Sequence, residues 1–256
     1  MENHYQHLHI ERDGKVAHLI LNRPDILNAV HQAAAHEVAA AARALAAEPE
    51  LRLIAIRGAG RAFCTGIDLK ELAAGHIDET YFRIWEDALR CFETMDKLVI
   101  CLIHGHGLGG GLQLALACDI RVATVDANLA LPAINEGLIP GLGTYRLARY
   151  IGLGRAKRLI LSGDAVSGAE ALEIGLVDYL VSAADMELEF ENLIETFMAG
   201  NSEGARLSKQ ALGQCYDLGY QAFLEHYTGL QAQALRSTDF KEAMTAYRAK
   251  RKPNWG

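Results

Sequence analysis

The stretch that most constrains the fold lies between residues 98 and 118. Leu98–Ile103 is apolar and β-branched, the pattern of a strand buried on both faces. It leads into Gly105-His106-Gly107-Leu108-Gly109-Gly110-Gly111, seven residues of which five are glycine. Leu112–Ala117 continues as an apolar helix that ends at Cys118-Asp119. Glycines after a strand let the backbone come close to a ligand. The first amides of the helix that follows have no partner inside it. A second turn of this kind, Phe63-Cys64-Thr65-Gly66-Ile67-Asp68, precedes a helix beginning over Leu69–Ala74. Such turns hold a phosphate or stabilise an oxygen that gains negative charge. Two of them suggest two backbone donors on one oxygen.

The remaining pattern is α/β. Strands are predicted over Lys15–Leu21 and Leu51–Arg57, flanking an alanine-rich helix over Val30–Ala47 that Pro49 stops. An amphipathic helix is predicted over Glu79–Met95, a strand over Ile120–Ala123 and an extended piece over Ala127–Leu131. Gly137–Gly143 is a Gly/Pro-rich loop, followed by helices over Tyr145–Ile151, Ala156–Leu161 and Ala169–Ile174. After Asp185 only helical patterns remain: Met186–Met198, Glu203–Leu218, Tyr220–Leu235 and Phe240–Lys250. The chain therefore divides into an α/β body, residues 1–185, and a helical region, residues 186–256, that packs on the body or on a neighbouring subunit.

Composition narrows the class. The chain has 25 Lys+Arg against 32 Asp+Glu, a net charge of −7, which argues against a nucleic-acid partner. The five cysteines, Cys64, Cys91, Cys101, Cys118 and Cys215, are odd in number and include no C-x-x-C. That spacing argues against a disulfide framework or a zinc site and for a reducing compartment. The N-terminal run MENHYQHLHIERDG has no basic and apolar leader pattern, and no apolar run reaches the roughly 18 residues of a membrane span. A cytoplasmic protein without a membrane partner is expected.

Gly105–Gly110 also fits G-x-G-x-x-G, so a dinucleotide oxidoreductase has to be weighed. The short helix that follows argues against it, as does the absence of an acidic residue about 20 positions on, near Ala130. That reading also leaves the turn at Gly66 unexplained. His104 and His106 read as strand-end histidines satisfied by backbone, and no metal is expected. Cys64 reads as a packing residue rather than a nucleophile. Asp68 reads as a helix cap. Arg146, Arg149, Arg155 and Arg158 read as a subunit face or a solvated helix side.

Across its length the chain resembles the enoyl-CoA hydratase/isomerase (crotonase) superfamily. The resemblance is carried by His104–Asp119, by Asn22-Arg23-Pro24 with Asn28-Ala29, by Ala62-Phe63-Cys64-Thr65-Gly66-Ile67-Asp68-Leu69, by Gly137-Leu138-Ile139-Pro140-Gly141 and by Lys250-Arg251-Lys252-Pro253-Asn254-Trp255. It implies a spiral of ββα turns with a C-terminal helical trimerisation region, assembled as a trimer or a dimer of trimers. It implies an acyl-CoA thioester as substrate, with coenzyme A part of that substrate and no separate cofactor. It places the thioester oxygen between the backbone N–H groups of Ile67 and Gly110. It sets Ala62, Thr65 and Asp68 along the coenzyme A path, with Tyr247 and Lys250 reaching coenzyme A, often from an adjacent subunit.

The sequence departs from the family where hydratases carry two glutamates. One position holds Gln113 and the other Ala133. An amide can orient water but cannot serve as a base near neutral pH, and alanine can do neither. Glu136, three residues beyond Ala133, is the nearest replacement acid; the alternative is a solvated or Arg-paired loop carboxylate. Decarboxylation of a β-carboxylated acyl-CoA, which needs no strong base, and non-catalytic acyl-CoA binding are the competing functions.

Overall fold

The structure, a computed structural model, describes residues 5–255. The reading of the N-terminus bears in part on residues 1–4, which lie outside the described residues. The strands are β1 (Leu8–Asp13), β2 (Val16–Leu21), β3 (Leu53–Gly58), β4 (Leu98–Ile103), β5 (His106–Leu108), β6 (Ile120–Thr124), β7 (Asn128–Ala130), β8 (Val166–Ser167) and β9 (Tyr179–Val181). The helices are α1 (Gln32–Ala47), α2 (Leu69–Ala73), α3 (Glu79–Thr94), α4 (Gly110–Leu116), α5 (Gly143–Ile151), α6 (Leu153–Ser162), α7 (Gly168–Glu173), α8 (Met186–Met198), α9 (Ser202–Leu212), α10 (Tyr220–Ala234) and α11 (Thr238–Arg248).

The main sheet runs β1-β2-β3-β4-β6-β9, antiparallel at β1–β2 and parallel elsewhere. Side chains alternate across it with the period of two that strands impose. Leu19, Ile54, Ile56, Cys101 and Ile103 join the core cluster that includes α1 and α3. Val16, Leu53, Ala55, Ile100 and Leu102 face the other way and meet Phe190 and Ile194 of α8. Both faces are thus covered, as parallel strands require. The helical region after β9 begins by sealing one side of the sheet.

A second, smaller sheet runs β5-β7-β8, parallel at β5–β7 and antiparallel at β7–β8. Isolated parallel bridges, Val30 to Ile67 and Cys64 to Gly107, extend this second layer back to the start of the chain. Each turn of the chain therefore deposits one segment on the main sheet and one on the second layer. The glycine fingerprint takes a different place from a dinucleotide turn. Gly107 lies inside β5, so a further strand separates β4 from α4. Among the described residues no helix is long and apolar enough to cross a membrane.

Candidate active site

The two glycine turns touch. Gly66 has φ +85°, and a Cβ on it would stand 2.6 Å from the amide nitrogen of Gly110. On the other side, a Cβ on Gly111 would lie 2.2 Å from the carbonyl oxygen of Cys64. Only glycine allows backbones this close.

The N-terminal motif braces this junction. Asn28, itself at φ +57°, donates from Nδ2 to the carbonyls of Ala59, Ala62 and Phe63 at 2.9, 2.8 and 3.2 Å. Arg23 donates from Nη1 to the carbonyl of Ala29 at 2.6 Å and to the Asp68 carboxylate at 3.2 Å. Asp68 also accepts from the backbone N–H groups of Lys70 and Glu71, capping α2.

The bridge to Val30 decides which way the amide of Ile67 points. Val30 donates to the carbonyl of Gly66 and accepts from the N–H of Asp68. In such a pairing the residue between, Ile67, turns its own N–H away from Val30. Gly110 is the first residue of α4 and has no partner within the helix. Among the described residues neither amide has an acceptor.

Both residues line a cavity of about 680 Å³, mouth included. Its walls come from Thr65 and Leu69, from Tyr81, Phe82, Trp85 and Glu86 of α3, from Gln113, and from the segment Pro132–Gly141. Gln113 is buried, and Ala133 and Glu136 also line the cavity. Gln113, Ala133 and Glu136, singled out in the sequence, are thus brought together in one cavity. Glu136 sits exposed at the end of a 3-10 helix, Pro132–Glu136, and pairs with none of the described residues.

Glu86 is a second cavity carboxylate that the sequence reading missed. Its Oε2 accepts from Arg146 at 2.8 Å and its Oε1 from the N–H of Leu142 at 3.1 Å. Arg146 is 3% exposed, so it forms no subunit face and no solvated helix side as the sequence suggested. It also contacts Glu93 at 3.3 Å. Burial works against its charge, but hydrogen bonds to Glu86 and Glu93 outweigh this and hold its pKa above the ordinary value. The 60 and 53 residues separating Arg146 from Glu86 and Glu93 explain why periodicity gave no signal. Of the other arginines, Arg149 pairs with Asp217 at 2.9 Å and Arg158 with Glu170 at 2.9 Å.

Cys64 is inert. Burial pushes its thiol up to about 12, and its Sγ is engaged with the carbonyl of Asn28 at 3.2 Å. His104 has its Nε2 at 3.1 Å from the carbonyl of Gly60, and burial lowers its pKa. Thr65 lines the cavity and donates to the carbonyl of Leu27 at 3.2 Å. Ala62 is fully buried, and neither it nor Asp68 is among the lining residues. Tyr247, 81% exposed, and Lys250 lie near the C-terminal end of α11 and line no part of this cavity within one chain.

An α/β body with two touching glycine turns that line one cavity, followed by a helical region, has the crotonase fold. The enoyl-CoA hydratase/isomerase family model matches residues 11–256, and the chain belongs to that family. It is 32% identical to crotonyl-CoA hydratase of Syntrophomonas wolfei, covering 98% of each chain. It is 31% identical to short-chain-enoyl-CoA hydratase of Clostridium acetobutylicum, covering 95% of each. The solved structure of enoyl-CoA hydratase from Bacillus anthracis superposes with a TM-score of 0.92 at 31% identity, covering 98% of this chain and 99% of that one.

Proposed function

We propose that the protein binds an enoyl-CoA between the amides of Ile67 and Gly110 and moves one proton on it, isomerising a 3-enoyl thioester to the 2-enoyl form. The observation that carries this reading is the pair of amides on touching turns, without an acceptor among the described residues, in a cavity whose lining carboxylate Glu136 has no partner among them either. The two amides stabilise the dienolate oxygen formed when the C2 proton leaves; one such donor contributes about 3 kcal/mol. Glu136 takes the proton from C2 and returns it to C4, so atoms and charge balance with one carboxylate. Syn-hydration needs a second group for water, and Gln113 and Ala133 do not supply an acid. Tyr247 and Lys250 would meet coenzyme A from an adjacent subunit, in a homotrimer or dimer of trimers.

Decarboxylation would also dispense with the missing acids. Against it, Glu136, the carboxylate of the cavity wall with no partner among the described residues, repels a second carboxylate on the acyl chain. Turnover of crotonyl-CoA and of a 3-enoyl-CoA tests the reading. The expected result is isomerisation that Glu136→Gln slows by roughly 10²–10⁴-fold. Unchanged rates on both thioesters would remove Glu136 from the mechanism, and CO₂ release from malonyl- or methylmalonyl-type thioesters would replace isomerisation by decarboxylation. Tight binding without turnover of any thioester would leave a carrier.

A further inference from the structure

Trp85 is 3% exposed, yet its indole Nε1–H has no acceptor among the described residues. Indole is a donor only. A buried donor left without a partner opposes folding, and where one persists a ligand or water is the usual partner. Packing explains the ring but not the nitrogen, since an all-carbon ring would fill the same space without the penalty.

The position of that nitrogen says what it is for. It lies on the face of α3 that, with Tyr81, Phe82 and Glu86, walls the cavity. A Cβ on Gly110 would stand 3.3 Å from Trp85 Nε1 and 3.4 Å from the Cα of Gly66, so the indole nitrogen packs against the Cα of Gly110 on the side where the Gly66 turn also approaches. The donor is therefore next to Gly110, whose amide is read above as receiving the thioester oxygen, and both residues line the same cavity.

We propose that the Trp85 indole N–H donates to the thioester carbonyl oxygen of the bound acyl-CoA, a third donor beside the amides of Ile67 and Gly110. This rests on the acyl-CoA reading above. The third donor differs from the other two in origin. It is carried by a side chain of α3 rather than by the backbone of the glycine turns. It therefore fixes the rotation of the carbonyl about the C–S bond, and it strengthens as negative charge grows on the oxygen.

The test compares butyryl-CoA with S-butyl-CoA, a thioether that keeps the chain and the nucleotide but lacks the carbonyl oxygen. Calorimetry on the wild type and on Trp85→Phe is expected to show butyryl-CoA weakened roughly five- to tenfold, with S-butyl-CoA changed less than twofold. In infrared difference spectra, the ¹³C-labelled carbonyl stretch should move to higher frequency in Trp85→Phe. Benzothienylalanine at position 85, which keeps the ring shape and replaces N–H by sulfur, should match the Phe variant. Equal weakening of both ligands, or an unmoved stretch with unchanged affinity, would overturn the role of Trp85 alone. A wild type that binds neither ligand would overturn the acyl-CoA reading and this proposal with it.

Discussion

Asn28 does at the residue scale what the glycine turns need done for them. Its side-chain amide gathers three carbonyls of the segment that presents Ile67, and its backbone sits in the left-handed region to do so. Two substitutions separate these contributions. Asn28→Ala loses the hydrogen bonds and keeps the strained backbone, for a loss of roughly 2–3 kcal/mol. Asn28→Gly loses the same bonds but relieves the strain, and should recover only about 1 kcal/mol. Urea unfolding of both variants checks this, and both should bind acyl-CoA more weakly because the Ile67 amide is no longer held. A variant pair as stable as the wild type would show that the carbonyls find other donors. The motif containing Asn28 was legible in the sequence as a resemblance. Its task was not, because the carbonyls it serves lie more than 30 residues away.

At the scale of elements, local pattern was enough where a segment's own sequence decided its structure. The alanine-rich α1, the amphipathic α3 and the apolar β4 fall close to where propensity and periodicity put them. β1 escaped notice because Glu11, Arg12 and Asp13 are exposed on an edge strand, so half of it carries no apolar signal. The helix predicted over Glu203–Leu218 stops at Leu212, where Gly213 follows and turns replace the helix. The start of α1 adds a pH dependence. Its N-cap is His31, whose Nδ1 accepts from the N–H of Ala34 at 3.1 Å, a role open only to the neutral ring. Burial, then the charge of Arg23, lowers its pKa. A histidine depressed in the folded state contributes fully above its unfolded pKa of about 6.5. Below that pH the unfolded chain takes up the proton first, and stability falls. His104, lowered mainly by burial, acts in the same direction. Urea midpoints should therefore drop between pH 7.5 and pH 5.5. His31→Asn keeps a capping oxygen without the titration and should make that drop shallower; an identical slope would remove His31 as a source.

On the scale of the whole molecule, the helical region is both a lid on the sheet and a source of unfinished surface. α8 seals the sheet through Phe190 and Ile194. α9 is fixed by Lys209, whose Nζ reaches Asp119 at 2.8 Å and the carbonyls of Phe92 and Lys97 at 3.1 and 2.8 Å. Beyond these anchors the same region exposes Leu212, Tyr216, Tyr220, Leu235 and Tyr247, with Leu212 at 69% and Tyr220 at 82%. Large apolar side chains left in water on neighbouring helices mark a surface that associates. Charge placed there should act on assembly and not on the fold, because these side chains make no core contact. Leu212→Asp with Tyr220→Asp is thus expected to leave the circular dichroism spectrum and the urea midpoint of the dissociated chain intact. In light scattering, the wild type should run at three or six chains and the double variant as a monomer. Coenzyme A affinity should fall with the mass if Tyr247 and Lys250 act across the interface, whereas a double variant that stays assembled would put the contact on another face. The fall in affinity with assembly is the more informative half of the experiment. It would explain why, within one chain, Tyr247 and Lys250 line no part of the cavity that Ile67 and Gly110 line.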